Sequence, residues 1–231
     1  MKIFKGAGIV YEDNHIIVVN KPAGMLSQGD KTGDSSIIDI LKEYIKIEYN
    51  KPGNVFLGSV HRLDRPVSGL MVFARTSKAL TRLTQAMKER KIHKRYYAIV
   101  EGTITKSKGK LIHFLDKDRR KNIVRAYSKE RNNTKRAELN YEVKAIVDGY
   151  SLVDVQLLTG RPHQIRVQLV TEFFPIAGDI KYGSEHRDFN KDICLHSYKL
   201  EFVHPVRKNK MVFTLLPDAG KCIWAKFEKF F

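Results

Sequence analysis

The segment His61-Arg62-Leu63-Asp64-Arg65-Pro66-Val67-Ser68-Gly69-Leu70 sets one carboxylate, Asp64, between two arginines. Positive charge on both sides favours the ionised form of an acid. A carboxylate held ionised suits a nucleophile or base better than a proton donor. A second cluster, Thr159-Gly160-Arg161-Pro162-His163-Gln164-Ile165-Arg166, places two arginines where Gly160 ends a strand and Pro162 is expected to open a helix. The start of a helix gathers backbone N–H groups and attracts anions. Arg161 and Arg166 therefore have two candidate partners, Asp64 and a phosphate. Pairing with Asp64 would hold that acid in one rotamer.

Other chemistries find less support. No cysteine lies near His61 or His163, and neither takes part in an HExxH or His-x3-His pattern, so no metal is expected. The glycines form neither a phosphate loop nor a GxGxxG after a strand, so no nucleotide cofactor is expected. Cys194 and Cys222 lack CxxC spacing and are read as buried thiols in a reducing compartment.

The chain has 231 residues, with 42 Lys and Arg against 25 Asp and Glu, a formal net charge of +17. Such a field attracts polyanions and speeds encounters with them. Much of the surplus lies in residues 88–136, where 17 Lys and Arg face five Asp and Glu. Tyr96, Tyr97 and Tyr127 are interleaved with that charge, a pattern suited to stacking on exposed bases. The first residues lack the apolar run of a signal peptide, and no run approaches the roughly 20 apolar residues of a membrane span. A cytoplasmic protein without membrane contact is expected.

Elements to position these residues can be read from the pattern. Residues 9–11 and 16–19 read as strands around an Asp13-Asn14 turn, and Lys21-Pro22-Ala23-Gly24 breaks the chain. Ser35 or Ser36 caps a helix with Ile37, Ile40, Leu41, Tyr44 and Ile45 on one face. The Asp64 loop leads into a strand over 70–74. Thr76 or Ser77 starts a helix carrying Leu80, Leu83 and Met87. Residues 96–100 read as a strand, and 111–112 and 123–124 as short apolar pieces. Residues 137–145 and 150–158 form a hairpin about Asp148-Gly149, and late strands fall at 200–203 and 211–215. Strands outnumber helices and meet through hairpins, which predicts an α+β fold: a mixed, mainly antiparallel sheet with flanking helices, in one domain over 1–231.

The chain closely resembles the RluA-like pseudouridine synthases. The likeness runs through Val19-Asn20-Lys21-Pro22-Ala23-Gly24-Met25, His61-Arg62-Leu63-Asp64 with Ser68-Gly69-Leu70, Lys94-Arg95-Tyr96-Tyr97-Ala98 and Thr159-Gly160-Arg161-Pro162-His163-Gln164-Ile165-Arg166. Gly178-Asp179, Tyr182-Gly183 and Leu195-His196 also fit, so that it spans about residues 9 to 216. The chain departs at Val67, where many members carry Thr. Only about eight residues precede Ile9, so the S4-type domain of some relatives is not expected. The resemblance implies a sheet with a central RNA-binding cleft and the isomerisation of uridine to pseudouridine. It implies that Asp64 is the catalytic aspartate and that Tyr96 stacks on the uracil and helps remove the C5 proton. It further implies that Arg166 pairs with the aspartate and that Arg62 holds the flipped nucleotide or fills its place. His61, Lys94, Arg95, Arg161, His163 and Gln164 are expected to contact the RNA.

The expected function is a cofactor-independent isomerase acting on structured rRNA or tRNA, as a monomer with no obligate protein partner. One alternative is a non-catalytic RNA-binding or ribosome-assembly protein on the same fold. Another is a DNA-binding protein, for which no helix-turn-helix or zinc-finger pattern speaks.

Overall fold

The computed structural model describes residues 1–186, 192–220 and 222–231. The chain divides into two compact units, Met1–Ile92 with Lys199–Leu215, and His93–Tyr198 with Leu216–Phe231.

The first unit begins with strands β1 (Lys2–Phe4), β2 (Ala7–Glu12) and β3 (Ile16–Lys21). Asp13 makes the β2–β3 turn, its carboxylate accepting from the N–H groups of His15 and Ile16. Helix α1 (Ile37–Glu48) starts at Ser36, whose hydroxyl accepts from the Asp39 N–H while the Asp39 carboxylate accepts from the Ser36 N–H. This reciprocal cap satisfies two donors that a helix start otherwise leaves open. The helix buries Ile37, Ile40, Leu41, Tyr44 and Ile45, the face predicted from spacing. Each such aliphatic side chain contributes about 1.5–3 kcal/mol on full burial. A short β4 (Gly58–Ser59) and the apolar β5 (Ser68–Ala74) follow, then α2 (Ser77–Lys88) capped by Thr76. The pairing order is β1-β2-β3-β5, with β4 against the end of β5. Ile16, Val18, Leu70, Val72, Ala79 and Leu83 form the core between this sheet and α2.

The second unit contains β6 (His93–Val100), β7 (Lys108–Asp118), β8 (Ile123–Tyr127), β9 (Lys135–Val147) and β10 (Tyr150–Leu157), in the order β6-β10-β9-β7-β8. Each of these pairings is antiparallel. The basic region read as short apolar pieces is thus a long hairpin, in which β7 alternates buried Leu111, His113 and Leu115 with more exposed residues, Lys108, Lys110 and Ile112 among them. Asp148 and Gly149, both at positive φ, close the β9–β10 hairpin where the sequence placed it.

Helix α3 (Gln164–Glu172) begins two residues after Pro162. His163, at φ 50°, stands in the left-handed region as its N-cap, so Pro162 falls in the preceding turn rather than in the helix. Leu115, Val124, Ala137 and Val167 pack together beneath it. Strand β11 (Leu195–Val203) supplies its first four residues to this unit, and its remainder pairs with β12 (Lys210–Thr214) in the first. The C-terminal segment Cys222–Phe230 is a 3-10 helix that buries Trp224 and Phe227, and Phe231 packs against Tyr97. Cys194 is a buried cysteine outside any disulfide, while the Cys222 side chain lies outside the described residues. Among the described residues no helix is long and apolar enough to cross a membrane.

Candidate active site

Asp64 lies in the loop between β4 and β5, partly buried, with Arg62 and Arg65 exposed beside it. The loop turns at Asp64, whose carbonyl accepts from the Val67 N–H at 3.0 Å. Val67 is buried, so an apolar side chain anchors the turn.

A second loop, residues 22–27, buttresses the first. The Ser27 hydroxyl donates to the Leu63 carbonyl at 2.6 Å and accepts from the Leu63 N–H at 3.1 Å. The Gly24 N–H donates to the Arg65 carbonyl, and the Arg65 Nε returns a bond to the Gly24 carbonyl, both at 2.9 Å. Lys21 joins the two loops from below. It is fully buried, and its ammonium donates to the carbonyls of Pro22, Met25 and Arg65 at 2.9, 2.9 and 3.2 Å. A buried ammonium is costly unless hydrogen-bonded, and here carbonyl oxygens supply the bonds. Residues 21–27 thereby fix the backbone on both sides of Asp64, Ser27 at Leu63 and Lys21 with Gly24 at Arg65. The Arg65 guanidinium reaches the Asp34 carboxylate at 2.7 Å. His61 is buried, and its Nε2 accepts from the Val72 N–H at 3.2 Å, tying the loop to β5.

The second unit holds the remaining candidates. Strand β6 turns Lys94 and Tyr96 to one face and Arg95 and Tyr97 to the other, since neighbouring side chains of a strand alternate. Tyr96 is buried. On the opposite face the Arg95 guanidinium grips Asp154 on β10 with bonds of 3.1 and 2.7 Å, and the Tyr198 hydroxyl adds a third at 3.0 Å. Tyr97 stacks on Tyr198 with ring centroids 4.0 Å apart. Lys94 is 7% exposed, and burial pushes its amine down to about 8.

The turn before α3 is held by Gln164. Its side-chain oxygen accepts from the Thr159 hydroxyl at 2.8 Å and the Arg161 N–H at 3.0 Å, while its amide donates to the Glu138 carbonyl. Arg161 is exposed and donates to the Arg136 carbonyl. Arg166, in the first turn of the helix, is 5% exposed and pairs with Asp179, itself 1% exposed, through bonds of 2.6 and 2.7 Å. The Tyr182 ring lies 5.0 Å from that guanidinium, and its hydroxyl shares a 2.7 Å hydrogen bond with His163. Tyr182 also accepts from the Val124 N–H. Asp179, Tyr182, His163 and Arg166 are thus one network. A buried guanidinium with a forked carboxylate partner keeps a single orientation.

Lys21, Asp179 and Tyr182 had no role in the sequence reading. All three stand in the quoted motifs, and an acid two places before a lysine and three before a tyrosine was the available signal for the last pair.

The sequence family described as RNA pseudouridylate synthase matches residues 15–171. Ribosomal large subunit pseudouridine synthase D of Borreliella burgdorferi is 37% identical over 198 residues, covering 84% of this chain and 60% of that protein. The chain spans less than two thirds of the length of the curated large-subunit synthases it matches. tRNA pseudouridine synthase C of Haemophilus ducreyi is 33% identical over 91% of this chain and 90% of its own length. Among solved structures, human RNA Pseudouridylate Synthase Domain Containing 4 covers 91% of this chain, and 88% of its own chain is matched, with a TM-score of 0.74 at 23% identity. That likeness shows the fold. The family match covers the Asp64 loop, strand β6 and the start of α3, and on that ground the chain belongs to the RNA pseudouridylate synthase family, in its RluA-like branch.

Proposed function

We propose that the chain isomerises uridine to pseudouridine in structured rRNA or tRNA. The observation that carries this reading is the match over residues 15–171, which includes both the Asp64 loop and Tyr96. The reaction breaks the N1–C1′ bond and forms C5–C1′. The C5 proton leaves and N1 gains one, so nothing is oxidised or consumed and the protein's own residues suffice. Asp64 is the reacting carboxylate, held by the backbone bonds that join its loop to residues 21–27. Tyr96 stacks on the uracil. Asp179 fixes the Arg166 guanidinium, which supplies positive charge at the start of α3. Arg62, exposed beside Asp64, takes the space that the base vacates. Extruding a base costs a few kcal/mol, which stacking and gap filling offset.

The exposed Lys and Arg of the β7–β8 hairpin and the turn after it supply the electrostatic footprint. They include Arg119, Arg120, Lys121, Arg125 and Lys129, with Arg131 over the Tyr127 ring. The test is tritium release from RNA labelled at uridine C5, on total rRNA and on total tRNA. Wild type releases tritium from one class, and Asp64→Ala falls to background while still binding RNA. Equal release by both proteins would remove Asp64 from the chemistry. No release from either class, with binding intact, would favour the non-catalytic RNA-binding protein.

A further inference from the structure

Lys94 is buried to more than nine tenths, and among the described residues its ammonium takes part in no hydrogen bond or ion pair. Burial alone accounts for its depressed amine, with no charged neighbour contributing. The acid on the paired strand, Asp154, faces the other side of the sheet and is held by Arg95 and Tyr198. The stem is enclosed while the Nζ keeps some contact with solvent, and a partly desolvated cation without a counter-charge is one that an anionic ligand completes.

The surroundings identify the ligand. The Lys94 Nζ lies 3.7 Å from where a Cβ on Gly160 would sit, and nothing else comes within 4 Å of that point. Gly160 is exposed. The buried stem of Lys94 therefore delivers its ammonium beneath an open position at the strand end. A side chain on residue 160 would stand over the ammonium, and the glycine leaves that space clear. The turn continues through Arg161, also exposed, into the N-terminus of the nine-residue helix α3, whose dipole adds positive potential.

We propose that Lys94 and the open backbone at Gly160 form a subsite for one phosphate group of the RNA backbone. This rests on the reading of the chain as an RNA-modifying enzyme and adds to it the moiety that this point receives. Lys94 and Tyr96 share a face of β6 two residues apart, a separation of about 6.6 Å along a strand. That spacing suits the phosphate of the nucleotide whose base reaches Tyr96. Phosphate supplies the missing counter-charge, and the enclosed stem fixes the ammonium so that little side-chain freedom is lost on binding.

The test is competitive acetylation of the folded wild-type chain by a limiting pulse of acetic anhydride near pH 8. The label at Lys94 is read by peptide mass spectrometry against an exposed lysine outside the basic hairpin, Lys46 on α1. Inorganic phosphate, total tRNA, total rRNA and phosphate-free uridine are the added probes. Phosphate and the RNA class that is modified protect Lys94, and uridine does not. In parallel, Lys94→Met lowers the slope of log affinity for RNA against log salt by about 0.7–0.9, one phosphate contact. Undiminished labelling of Lys94 under both phosphate and RNA overturns the subsite, whether or not Lys94→Met folds. Protection by free phosphate alone confines the subsite to a free anion and overturns its RNA assignment. Tritium release by a wild type whose Lys94 stays unprotected removes the subsite and leaves the enzyme reading standing. Protection by phosphate and RNA in a chain that releases no tritium keeps the subsite and removes that reading.

Discussion

Replacing Asp179 by Asn tests whether the Arg166 network is what holds the α3 end of the site. The substitution keeps the shape of the side chain and removes one charge. Asp179 and Arg166 are 1% and 5% exposed and share two bonds of 2.6 and 2.7 Å. An exposed pair of this kind is worth about 0–1 kcal/mol. A buried pair that loses one partner costs about 3–5 kcal/mol, since the remaining charge loses its counter-ion away from water. Asparagine can accept one bond from the guanidinium but turns an N–H against it at the other position, so the lower figure applies. For a chain of this size about 3 kcal/mol lowers the melting midpoint by roughly 6–12 °C. The backbone of the Asp179 turn accepts from the N–H groups of Tyr182 and Ser184, so the ring beneath Arg166 loosens with it. The assay is thermal unfolding of Asp179→Asn beside Glu130→Gln, an exposed acid, followed by tritium release well below the lower midpoint. Turnover falls in Asp179→Asn and not in the control. A midpoint within about one degree of wild type, with normal release, would refute the claim that this pair orients Arg166.

Two further outcomes follow from geometry elsewhere. Burial raises the Asp13 carboxyl, but bonds from the His15 and Ile16 N–H groups, the Tyr11 hydroxyl and the His204 charge outweigh it, leaving it below its ordinary value. A carboxyl depressed in the folded state stabilises above its unfolded value, roughly 4, and that contribution is lost as pH falls through the folded value. Asp13→Asn should therefore lose less stability than wild type between about pH 5 and about pH 3, by urea midpoint, and an identical acid loss would dismiss the idea. Gly149 sits at φ 77° with open space around it, so Gly149→Ala meets only backbone strain. It should cost about 1–2 kcal/mol, or roughly 2–8 °C in melting midpoint, and an unchanged midpoint would show that the hairpin turn relaxes freely.

The parts of the fold that were legible in the sequence were those decided by neighbours along the chain. Ser36 and Thr76 cap helices because a hydroxyl reaches an N–H three residues on. Asp148-Gly149 closes a hairpin because only small or polar residues tolerate positive φ there. The start of α3 was misplaced by two residues because His163 adopts a left-handed conformation that Pro162 does not announce. The long β7 was obscured because three of its exposed positions, Lys108, Lys110 and Lys117, are lysines, which read as loop. Strands β1 and β4, of three and two residues, carry too few side chains for a period to register.

The candidate site divides along the same line. Asp64 stood out because its charge environment is local, with an arginine two residues before it and one directly after. What supports Asp64 is not local. The Lys21 ammonium reaches a carbonyl 44 residues away, and the Ser27 hydroxyl reaches one 36 residues away. Neither pairing follows from propensity or period, since each depends on which loops the sheets bring together. Strand β6 sharpens the point. Its sequence, His-Lys-Arg-Tyr-Tyr-Ala-Ile-Val, has no polar–apolar alternation, so it does not tell which of two adjacent cations joins Tyr96. Pairing with β10 decides it: Arg95 goes to Asp154, and Lys94 goes to the Tyr96 face beneath Gly160. Two cations that the sequence treats alike therefore have different chemistry. Arg95 is neutralised inside the protein, and Lys94 is left as the cation that a phosphate completes.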